Sequence, residues 1–107
     1  MNRPTAFLAT DSSVALVLLG VLRESGLSVP DEASIICFDD ADWTAAVISP
    51  LTVVSQPIRE PATAATEHLI ARLQGEGNRP GAEILLPATL IERASVSTAP
   101  AKVEHER

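Results

Sequence analysis

The chain has 107 residues, 46% of them hydrophobic and 21% charged, a composition that folds rather than stays disordered. Eight basic against fourteen acidic residues give a net charge of −6, and no two basic residues are adjacent, which argues against a surface that neutralises nucleic-acid phosphates. The single cysteine, Cys37, excludes an internal disulfide and a cysteine-built zinc cage, and with aromatics at only 3% the core must come from Ala, Val, Leu and Ile.

Residues 5–9 (Thr-Ala-Phe-Leu-Ala) form a short apolar run after Arg3-Pro4 and predict a buried strand. Thr10, Asp11, Ser12 and Ser13 follow, the residue types whose side-chain oxygens cap a helix N-terminus. Val14, Val17, Leu18, Val21, Leu22 and Ser25 then keep the i, i+3, i+4, i+7 spacing, with Leu16 and Leu19 on the other side. The predicted helix 12–25 is therefore apolar almost all round and requires cover on both flanks, from a larger domain or a subunit partner. Gly26 supplies the left-handed residue that ends it. The longest apolar run, 14–22, is nine residues, too short to span a bilayer. It follows Asp11 rather than a basic leader, so no secretion signal is expected and the expected location is the cytoplasm.

Ser34-Ile35-Ile36-Cys37-Phe38 is continuously apolar and predicts a parallel strand buried on both faces, with Cys37 a buried, inert thiol. It stops at Asp39-Asp40-Ala41-Asp42-Trp43. Leu51 to Gln56, between Pro50 and Pro57, predicts another strand. Residues 59–74 predict a helix with Ala62, Ala65, Leu69 and Leu73 on one stripe and Pro61 in its first turn. Residues 75–81 predict a loop, and Glu83 to Ile91 an extended stretch interrupted at Pro87. The order strand, helix, strand, strand, helix, strand gives an α/β class, a mostly parallel sheet flanked by helices. Ligands in such sheets bind outside the carboxyl ends of the strands. Three polar clusters fall there: Thr10-Asp11, Asp39-Asp40 and Ser55-Gln56.

Five blocks occur in a characteristic order: Asp11-Ser12-Ser13-Val14-Ala15, Leu22 to Pro30, Ser34 to Asp40, Pro50 to Pro57, and Leu85 to Arg93. Together they resemble the C-terminal end of the lactose- and purine-repressor family of bacterial transcription regulators, over about residues 4–96. The resemblance implies a partial periplasmic-binding-protein-like fold, in which two α/β lobes close on a small effector, usually a sugar or nucleobase. It assigns 4–55 and 84–96 to the C-terminal lobe and the helix within 57–75 to the N-terminal lobe, with 97–107 a disordered tail. It implies a homodimer, formed through helix 12–25 and the 41–50 segment. Operator DNA would be read by an N-terminal helix-turn-helix that has no counterpart in these residues. Cys37 stands where the family usually has Gly. Effector binding would shift the population between open and closed states and so change operator affinity.

The resemblance also implies which residues meet the effector. Asp39 matches the family's effector-binding Asp on the loop after the strand, where a carboxylate accepts bonds from vicinal hydroxyls. A solvated acidic loop, or an N-cap for a short helix at 42–47, is the plainer reading. Asp11 is an N-cap by its residue type and, by the resemblance, also lies near the effector. Gln56 matches a crossover residue between lobes, or is simply a polar strand end. Trp43 either stacks on a sugar or packs in the core or subunit interface. His68 and His105 read as surface residues. No metal site, cofactor or catalytic set is expected, since no nucleophile–base pairing can be assembled and the 75–81 segment lacks the strand-to-helix context of a phosphate loop. A solute-binding protein feeding a transporter is the alternative, and it requires a secretion signal. A small hydrolase acting through Asp11 and Asp39 is a third reading, requiring those carboxylates within about 10 Å.

Overall fold

The computed structural model describes residues 3–75 and 83–101. Its elements are β1 (Ala6–Ala9), α1 (Ser12–Glu24), β2 (Ser34–Phe38), β3 (Thr52–Ser55), α2 (Arg59–Leu73) and β4 (Thr89–Ile91). They match the predicted order, and the expected extended stretch from Glu83 narrows to the strand at its end. Residues 76–81 of the expected loop, Ala82 after it, and 102–107 of the expected tail, His105 among them, lie outside the described residues. Ser97, the first residue of that tail, is tied back: its N–H donates to Ser34 Oγ (3.1 Å) and its hydroxyl to the Pro30 carbonyl (2.8 Å).

Two compact units result, one running to Ser55 and resuming at Thr89, the other Gln56–Ala88. The first unit holds a four-stranded sheet in the order β1-β2-β3-β4. β1/β2 and β2/β3 are parallel, and β4 closes the edge antiparallel to β3. Both parallel connections advance in the same direction across the sheet. Right-handed crossovers therefore put α1 and the 41–50 segment on one face.

That face holds the core: Ala9, Ile35, Cys37, Leu51 and Val53 from the sheet side, with Ala15 and Leu22 from α1, and Trp43 and Val47 packed against them. The opposite face lacks such cover within this unit. Leu8 is 66%, Phe38 37% and Leu90 55% exposed, and the register sets Phe38, Val54 and Leu90 side by side. The expected burial of 34–38 on both faces is thus met only for Ile35 and Cys37.

Asp11 caps α1, its Oδ1 accepting from the Val14 N–H (2.9 Å). Gly26, at φ +76°, ends it: its N–H reaches Arg23 O (3.1 Å) and that of Leu27 reaches Leu22 O (2.9 Å), the paired bonds of a Schellman motif. The buried stripe differs from the one the spacing selected. Ala15, Leu18, Leu19 and Leu22 face the core, while Val14, Val17 and Val21 are exposed. Both stripes are apolar, so periodicity does not separate them; the small Ala15 lets the helix approach the sheet closely. In the second unit, α2 has Glu60 in its first turn and Arg72 in its last, which suits the helix dipole, and it buries none of its residues.

Candidate functional site

The parallel pairing sets Ala9 beside Cys37 and Phe38 beside Val54, so the chain leaves β1, β2 and β3 at one end of the sheet. The polar clusters Thr10-Asp11, Asp39-Asp40 and Ser55 are brought together there by register. Gln56, the next residue after Ser55, is exposed and is the first residue of the second unit. Asp11 is exposed and already engaged as the helix cap. A carboxylate capping through one oxygen keeps acceptor capacity on the other.

Asp39 is half-buried and has φ +90°, alone among the described non-glycine residues in the left-handed region. Its N–H extends the β2/β3 ladder to the Val54 carbonyl (2.8 Å), and its own carbonyl accepts from the Cys37 thiol (3.3 Å). Such a conformation persists only where the surroundings over-determine it, and it recurs at ligand-binding positions. Residues 42–46 form turns rather than the short helix that Asp39 was alternatively expected to cap. Cys37 is fully buried, as expected. Burial pushes its thiol pKa up, and the negative charges of Asp39, Asp11 and Asp40 push it further the same way, which keeps it protonated and unreactive.

Asp40 is the residue whose role the sequence did not reveal. Its carboxylate takes a two-pronged grip from Arg93, Nη1 to Oδ1 at 3.0 Å and Nη2 to Oδ2 at 2.9 Å, and the Thr44 hydroxyl donates to it as well. Arg93 also donates to Thr44 Oγ1 (3.1 Å) and to the Leu51 carbonyl (3.1 Å). The Arg93 bond, followed by that from Thr44, holds the Asp40 carboxyl below the usual carboxylate range. The available signal was an isolated arginine just after the last strand of an acid-rich chain. Trp43 is half-buried and packs against the core.

Away from the strand ends, α1 and residues 46–49 enclose an apolar groove of about 690 Å³, lined by Leu16, Leu19, Gly20, Leu27, Val47 and Ile48 among others. Among the described residues no cluster of three or more His, Cys, Asp or Glu is placed to hold a metal ion, and no helix is long and apolar enough to cross a membrane.

Residues 1–96 match the family model of the periplasmic binding protein-like domain. A probable opine utilization operon repressor from Rhizobium rhizogenes is 75% identical over 96 residues, 90% of this chain and 48% of that protein. A LacI family transcriptional regulator from Enterococcus faecium, solved with bound ribose, superposes with a TM-score of 0.72 at 32% identity, over 92% of this chain and 36% of that one. The lac repressor dimer bound to operator and the anti-inducer ONPF gives 0.75 at 31%, over 89% and 32%. The chain thus spans about half the length of the opine repressor and about a third of these solved chains.

Proposed function

Because the chain belongs to the periplasmic binding protein-like domain family, as part of the effector-binding domain of a LacI-type regulator, we propose that it forms one wall of a small-molecule pocket and one face of a homodimer. The observation that carries this reading is the convergence of Thr10-Asp11 and Asp39 at adjacent strand ends, with Asp39 held at positive φ. The ligand is a small sugar, a reading supported by the ribose in the E. faecium regulator. Asp39 accepts bonds from its vicinal hydroxyls and Asp11 adds a second acceptor through its non-capping oxygen. Gln56 marks the crossover between lobes. The C-terminal lobe takes 4–55 and 84–96 and the N-terminal lobe the helix within 57–75; the division at Ser55/Gln56 supports the first boundary, while the second division falls at Ala88/Thr89, which groups 84–88 with the helix instead.

Sugar binding favours the closed arrangement of the lobes, and the population shift alters operator affinity. Operator contact is made by a helix-turn-helix outside these 107 residues; the net charge of −6 supports the absence of DNA contact by this stretch. The protein works in the cytoplasm as a binding protein, without a cofactor, membrane contact or enzymatic step. A second copy of the chain covers the apolar groove beside α1, a role supported by the dimeric state of the lac repressor.

Saturation-transfer NMR on the 107-residue chain, which detects weak binding by part of a pocket, tests the site. Ribose, arabinose and galactose are the probes. A sugar signal in the parent that vanishes in Asp39→Ala is expected. The same signal in parent and variant, or none from any of the three sugars, overturns the reading.

A further inference from the structure

The loop carrying Asp39 is held by a side chain that arrives from the far end of the sequence. Arg93 lies just past β4, and its base is rigid. Its N–H donates to Thr52 Oγ1 (2.9 Å), the Ala94 N–H donates to the Pro50 carbonyl (2.9 Å), and Ser95 is fully buried. From there the guanidinium ties three segments together: Asp40 after β2, Thr44 in the following turn, and Leu51 ahead of β3. Two parallel bonds to one carboxylate fix its orientation, which a lysine ammonium, having no fork, cannot reproduce.

Residue 39 lies between this clamp and the sheet. On the sheet side its N–H is bonded to Val54 and its carbonyl to the Cys37 thiol. On the other side, Asp40 is fixed by Arg93 and Thr44. A φ of +90° suits glycine, and an aspartate there gives up stability. Pinning on both sides is what keeps a side-chain-bearing residue in that conformation.

We propose that Arg93 is a positioning residue for the ligand-binding loop: its clamp on Asp40 holds Asp39 in the left-handed conformation and so fixes where the Asp39 carboxylate is presented. The presentation to a sugar rests on the proposed function above; the hold on the backbone of residue 39 does not. A purely structural Arg93 would lower stability without coupling to residue 39, whereas a positioning Arg93 couples to it.

The test is a double-mutant cycle on the 107-residue chain, pairing Asp39→Gly with Arg93→Met and Arg93→Lys and read by urea midpoints. Asp39→Gly is expected to raise the midpoint of the parent by relieving the strained φ. In the Arg93→Met background, where the loop relaxes, that rise disappears. Should Arg93→Met fail to fold, Arg93→Lys supplies the cycle, with a smaller rise expected. Hydrogen exchange gives a local reading: in Arg93→Lys the Asp39 amide exchanges several-fold faster, while the Ile35 and Val53 amides keep the parent rate. An equal midpoint rise in parent and Arg93 backgrounds overturns the proposal, and so does unchanged Asp39 exchange in Arg93→Lys. The ribose signal separates the two levels. Coupling without any sugar signal in the parent refutes the effector reading and leaves the clamp established, while a sugar signal without coupling refutes the clamp alone.

Discussion

Replacing Ser95 with alanine removes one oxygen and leaves two backbone groups of the sheet without their partner. Ser95 is fully buried; its Oγ accepts from the Thr52 N–H (2.8 Å) and donates to the Ile35 carbonyl. Ile35 and Thr52 are themselves buried, so neither orphaned group reaches water directly. The Ile35 N–H keeps its bond to the Ser95 carbonyl (2.9 Å), which alanine retains. A buried group left unsatisfied costs roughly 1–3 kcal/mol, which puts Ser95→Ala at about 3 kcal/mol for the pair. Native stability is roughly 0.05–0.15 kcal/mol per residue, so such a loss removes a large share of what a chain of this length holds. Urea unfolding followed by far-UV circular dichroism measures it, with Ser97→Ala as the control: its bonds are on the surface, so it is expected to cost under about 1 kcal/mol. A Ser95→Ala midpoint no lower than that of Ser97→Ala would mean that residues 93–97 are not docked beside β2 and β3.

The Asp40 carboxyl is held below its unfolded value, so the stability it contributes is present above that value, near pH 3.9, and is lost as pH falls through the lower folded value. Urea midpoints between roughly pH 5 and 2 should therefore fall less steeply in Asp40→Asn than in the parent, with a residual slope from Glu32, which its Ser28 bonds lower in the same direction. Identical slopes in the two proteins would contradict this. Gly26→Ala meets nothing within 4 Å, so its whole effect is the cost of φ +76° for a side-chain-bearing residue, about 1 kcal/mol in the unfolding free energy. Leu16→Glu places a charge in the apolar groove beside α1; with the proposed second copy on that groove, sedimentation equilibrium is expected to show a dimer for the parent and a monomer for the variant, and equal masses for the two would contradict the proposed face.

The elements were legible because their signals are local. Asp11 and Gly26 punctuate α1 at both ends, and the runs at 6–9, 34–38 and 52–55 are bounded by polar or proline residues. The side each element buries was less legible, since that is decided by what packs against it. An α1 apolar all round offers two equivalent stripes, and only the approach of Ala15 to the sheet selects one. Ile36 and Phe38 look as core-like as Ile35 and Cys37 in the sequence; they differ because both crossovers lie on the same face. Asp39 and Asp11 stood out through their placement after apolar runs. Arg93 and Ser95 did not, because their partners lie 41 to 60 positions away and only the folded sheet brings them together.

In the proposed function, the strand ends carrying Asp11 and Asp39 form the ligand wall. An amide chemical-shift titration of the 107-residue chain with ribose locates the bound sugar residue by residue. Shifts concentrated at Thr10, Asp11, Asp39, Asp40 and Ser55 are expected. Shifts confined to the groove between α1 and residues 46–49, or no shift at any residue, would place the ligand wall elsewhere or exclude it.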